Sequence, residues 1–136
     1  MVQQIASGAL AFSASYIALL VVLHVVLTWR VIAVRREKRV GLGDGGDKQL
    51  TRRIRVHGNF VETAPLLMIL LLALPLVGAP AWAVHGIGVL SVTGRVLHAI
   101  GLSQSGGPSF GRVVGMVLTL TAFLLGAAAL VVFAWR

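Results

Sequence analysis

Thr51 to Leu74 reads TRRIRVHGNFVETAPLLMILLLAL. The second half of this stretch is apolar enough to sit in lipid, while the first half carries Arg52, Arg53, Arg55, His57, Asn59 and Glu62. Laid on one helix, Arg52, Arg55, Asn59 and Glu62 fall at i, i+3, i+7 and i+10, a single stripe. Ionisable groups at the mouth of a membrane helix are costly unless they face partners, water or a ligand. The stripe is therefore the candidate site, and the other segments are read by what they bring to it.

The rest of the chain supports a membrane setting. Of 136 residues, 57% are hydrophobic and only 12% charged, with a mean hydropathy of +0.92, far from the balance of a soluble domain. One crossing takes about 20 mainly apolar residues, so four crossings use nearly the whole chain. The pattern predicts a single domain over 1–136, an all-α integral membrane bundle of four antiparallel transmembrane helices at 9–34, 52–77, 81–102 and 110–135. The first crossing reads as a retained anchor, because neither a basic lead nor a small-residue cleavage pattern flanks it. Pro65 removes a hydrogen bond to Val61 and predicts a kink. Pro80 suits the first position of the third helix.

Charge is concentrated in one place. Nine of the twelve Lys and Arg lie between Arg30 and Arg55, against Glu37, Asp44 and Asp47. This excess suits an anionic membrane surface or an acidic ligand; nucleic acid is disfavoured because no separate soluble module exists to carry it. The positive-inside rule places the basic connection, 35–51, in the cytoplasm and both termini on the far side. Arg112 then returns to the same face as the stripe. Absence of cysteine excludes disulfides, a protein thiolate nucleophile and cysteine metal sites. The four histidines include no i, i+4 pair with a carboxylate, so no metal site is expected. Gly41, Gly43 and Gly46 spell GxGxxG, but after an arginine-rich helix end and not a strand, so a loop is the better reading.

Several residue types here can hold a small anion. Arg55 offers a planar fork of donors and Asn59 an amide that both donates and accepts. Glu62 can hold an ammonium group or an arginine. It can equally pair with Arg55 or Arg95 in a polar knot that fastens helices two and three. Arg95 and His98 share a face, and His98 suits either a ligand or a backbone carbonyl. Arg112 opens a helix whose dipole already favours negative charge, so it can stabilise a bound thiolate. The alternative is an arginine snorkelling to lipid phosphate. Gly86, Gly88, Gly94, Gly111 and Gly115 permit close helix approach, within a subunit or between copies.

Two motifs carry a resemblance. Arg52, Arg55, Val56, His57, Gly58, Asn59, Phe60, Glu62, Pro65 and Leu66 form the first, and Gly94 to Leu102, GRVLHAIGL, the second. Together they resemble the MAPEG family, the membrane-associated proteins of eicosanoid and glutathione metabolism, and most closely its short bacterial branch. The resemblance implies a homotrimer in a bacterial inner membrane, surrounded by lipid, with glutathione as co-substrate at each subunit interface. It implies that Arg55 and Asn59 hold the peptide, with Glu62 at the matching glutamate, and that Arg112 is catalytic, activating the thiol. Arg35 or Arg36 would come from a neighbouring subunit, while Arg52, His57, Arg95 and His98 complete the binding set. The implied reaction is a transferase or peroxidase acting on hydrophobic small molecules at the cytoplasmic leaflet. Eukaryotic members carry tyrosines where this chain has Thr63, His98 and Leu102, so those phenol contacts are missing here. Two other readings are a non-catalytic trimeric scaffold and a small proton-coupled transporter, although Glu62 sits too near one membrane face for midplane exchange.

Overall fold

A computed structural model describes residues 2–136, with side chains from residue 8 onward. Four helices account for most of it: α1 (Val2–Lys38), α2 (Lys48–Leu76), α3 (Ala81–Gln104) and α4 (Phe110–Ala134). All four are long and apolar enough to cross a membrane.

The expected connection over 35–51 contracts to the residues between Lys38 and Lys48. Arg35, Arg36 and Lys38 are good helix formers, and they extend α1 by a further turn. The helix then stops at Arg39, which takes a left-handed φ of 55°. Val40 N donates to Arg35 O at 3.0 Å and Arg39 N to Arg36 O at 3.4 Å, the paired bonds of a Schellman end. At the other side Asp47 caps α2, its carboxylate accepting from Leu50 N at 2.8 Å. Pro80 precedes α3 as its N-cap and does not occupy the first helical position. The Pro80 carbonyl accepts from Ala83 N (3.0 Å) and Val84 N (3.3 Å).

Cross-helix contacts fix the directions. Ser13 Oγ donates to Leu71 O (2.8 Å) while Thr28 Oγ1 meets His57 Nε2 (3.1 Å), so α1 and α2 run antiparallel. Tyr16, on the contrary, meets His85 (2.8 Å), with Gly8 near Ala81, so α1 and α3 run parallel. Among the described residues α1 and α4 do not touch, whereas α2 and α3 each pack on all the others. The core is built from Leu20, Leu27, Phe60, Leu67, Leu71, Leu74 and Val84, all buried. Apolar burial drives little association in lipid, so close backbone packing must contribute instead. The α3–α4 pair shows this most clearly. A Cβ at Gly101 would collide with the Arg112 and Gly111 backbone, and one at Gly115 with the backbone of His98 and Gly94. These glycines are packing contacts within the chain. They bring the start of α4 against the end of α3, beside the charged half of α2.

Candidate functional site

The start of α2 carries Lys48, Thr51, Arg52, Arg55 and Asn59 along one side. These residues, with Leu102, Gly106 and Arg112, line an open cleft of about 330 Å³. Four of the eight are cations and none is an acid. Arg112 is held by the start of α4, where Ser109 caps the helix and accepts from Arg112 N at 3.4 Å. Asn59 and Arg112 also line a second groove of about 460 Å³, otherwise apolar except for His98, with Pro108, Val113, Met116, Val117 and Leu120. A cationic cleft and an apolar groove thus share two polar residues. Such a site can hold an anionic molecule in one half and a lipophilic one in the other.

Beneath the cleft lies a polar knot. Arg95 is fully buried, and its Nη2 donates to Asn59 Oδ1 at 2.6 Å and to His98 Nδ1 at 3.2 Å. Nη1 reaches Thr119 Oγ1 at 3.5 Å, while Thr119 donates to Gly115 O at 2.8 Å. The guanidinium carbon stands 6.0 Å from the Phe60 ring centre, and Nε has no partner. One arginine therefore fastens α2, α3 and α4. Because a guanidinium only donates, His98 Nδ1 must accept, and its ring proton lies on Nε2. For the same reason the Asn59 oxygen is occupied, leaving its NH₂ donors for the cleft.

The remaining expected site residues fall elsewhere. Glu62 is exposed on the surface of the chain, outside the cleft lining, and forms no ion pair among the described residues. Of the two readings of Glu62, the polar knot with Arg55 or Arg95 does not form as an ion pair among these residues; the knot at Arg95 is built on Asn59, which lies on the helical face turned to α3. His57 turns to α1, bonding Thr28 and lying 5.3 Å from the His24 ring centre; two positions from Arg55 and Asn59 is another face of the helix. Arg35 bonds the connection, donating to Gly43 O at 2.8 Å. Arg36 is exposed over Trp29. Lys48 was absent from the predicted set, although one more turn back from Arg52 would have found it.

Comparison with known proteins decides the family. The sequence profile of the MAPEG family matches residues 13–132. The chain belongs to the MAPEG family. A relative of this MAPEG chain, the inner membrane protein YecN of Escherichia coli, strain K12, is 38% identical over 89 residues, covering 65% of this chain and 68% of YecN. YecN of the O6:H1 strain CFT073 matches to the same extent. With four helices able to span a bilayer, this MAPEG chain is an integral membrane protein.

Proposed function

We propose that the protein is a glutathione-dependent transferase or peroxidase for hydrophobic electrophiles, working as a homotrimer. The observation that supports this is the sharing of Asn59 and Arg112 between the cationic cleft and the apolar groove. Glutathione brings two carboxylates, one ammonium group and one thiol. Arg52, Arg55, Lys48 and the Asn59 NH₂ suit the carboxylates. Arg112, at the positive end of α4, favours the thiolate over the thiol. An electrophile entering from lipid occupies the groove, and the thiolate sulfur attacks it. A carbon–sulfur bond forms, the leaving group departs with its electron pair, and the thiol proton goes to water.

Glu62 suits the ammonium group only where a second copy closes the cleft from outside, which fits a trimer. Arg36, free of the connection, is the better placed of the two α1 arginines to reach a neighbour. By the positive-inside rule this end of the bundle faces the cytoplasm. A second reading, a non-catalytic scaffold, draws on the knot, in which Arg95, His98 and the Asn59 oxygen serve packing.

Detergent-purified protein supplied with glutathione and a chromogenic aryl halide tests the proposal. Turnover is expected, and Arg112→Ala should lower kcat by about 10²–10³-fold, as when an electrostatic stabiliser is removed. Absence of turnover in the wild type favours the scaffold.

A further inference from the structure

A second basic pocket shares Lys48 and Arg52 with the cleft but is otherwise separate. It has a volume of about 410 Å³ and is completed by Gln49, Arg53 and Ser103. Arg53 Nη1 is enclosed by protein and has no hydrogen-bond acceptor, so the lining carries a charged donor that the chain does not satisfy. A buried unpaired donor of this kind costs more than a neutral one. Among the described residues the ion pairs are those of Lys38 with Glu37 and with Asp47. None of the three pocket cations is therefore neutralised from within, and they surround the first turns of α2, the positive end of its dipole.

We propose that this pocket binds a phosphate group, carried either by an anionic lipid headgroup or by a soluble phosphate. Two arginine forks and a lysine call for several acceptor oxygens on one small anion. A tetrahedral phosphate offers more of them than a carboxylate, and Gln49 adds a neutral donor, while the Ser103 hydroxyl is already given to Ala99 O at 2.6 Å. The position, between the start of α2 and the last turn of α3, is at the level of headgroups when these helices cross a bilayer. Lys48 and Arg52 also line the cleft, but Gln49 and Arg53 do not, so substitutions at these two separate this pocket from the glutathione reading.

Thermal unfolding of the full chain in neutral detergent, at constant ionic strength, tests the site. Phosphatidylglycerol, inorganic phosphate and diacylglycerol are titrated separately, because a ligand of the folded state raises the midpoint saturably. A saturable rise with phosphatidylglycerol alone identifies a headgroup site, and one with inorganic phosphate identifies a soluble ligand. Arg53→Gln and Gln49→Glu should each need about tenfold more of the effective compound, the loss of one charge-assisted hydrogen bond. Arg112→Ala should respond like the wild type. The site is refuted if neither phosphate compound gives a saturable rise, or if diacylglycerol gives the same rise. It is equally refuted if Gln49→Glu titrates unchanged or if Arg112→Ala loses the response. Gln49 is exposed, so its variant carries the test even where Arg53→Gln does not fold.

Discussion

Arg95 illustrates why a charge can persist inside this bundle. Its Nη2 serves Asn59 and His98 at once, and removing one partner leaves part of a buried cation unpaired. Asn59→Leu is therefore expected to destabilise the protein by about 2 kcal/mol, read as a lower unfolding midpoint in detergent. His98→Leu removes the weaker, 3.2 Å partner and should cost less; the reverse order would show that Asn59 does not hold Arg95. The stripe of Arg52, Arg55 and Asn59 was legible because helical spacing alone places them together. The Asn59–Arg95 bond was not, because charge complementarity pointed to Glu62. An amide and an acid three residues apart both lie near α3, and only packing decides which one is turned inward.

At the scale of elements, the apolar runs and prolines located the four helices, and the ends moved where local bonds outweighed composition. A charged tail such as Arg35 to Lys38 reads as loop in sequence but finishes α1 through the Arg39 turn. The closeness of α3 and α4 was readable only as a stripe of small residues, since glycine spacing does not say which helix approaches. Gly115→Ala would drive a Cβ into the His98 and Gly94 backbone, which cannot rotate away, and should cost about 1–3 kcal/mol. Gly86→Ala meets nothing within 4 Å and should be neutral or stabilising, given the better helix propensity of alanine. Equal midpoints for the two variants would contradict the packing described. The connection makes a separate prediction. Asp44 accepts from Gly46 N (3.0 Å) and Thr51 Oγ1 (2.8 Å), and these bonds hold its carboxyl below the ordinary 3.8. A depressed folded-state pKa means that the contribution is present above that value and is lost as pH falls through the lower one. Exchange of the Gly46 amide, corrected for intrinsic pH dependence, should accelerate in that window in the wild type and not in Asp44→Asn.

For the whole molecule, the decisive feature is an asymmetry of charge along the bundle. Lys48, Arg52, Arg55 and Arg112 open on one cleft at the connection end, while Glu62, on the same helix as the first three, is exposed outside that cleft. A single chain thus presents an uncompensated cationic cleft beside an apolar groove, and in the function proposed above a small anionic peptide would supply the missing charge. The sequence conveyed the membrane class and the cationic end through composition alone. It could not convey that Asn59 and Arg112 border both halves, which depends on α4 being drawn against α3 at Gly101. Calorimetric titration of glutathione into the purified protein measures the central claim directly. Saturable binding is expected, weakened about tenfold or more in Arg55→Ala and in Arg112→Ala, as for loss of a charge-assisted hydrogen bond. A titration without saturable heat, or one that neither substitution alters, would contradict it.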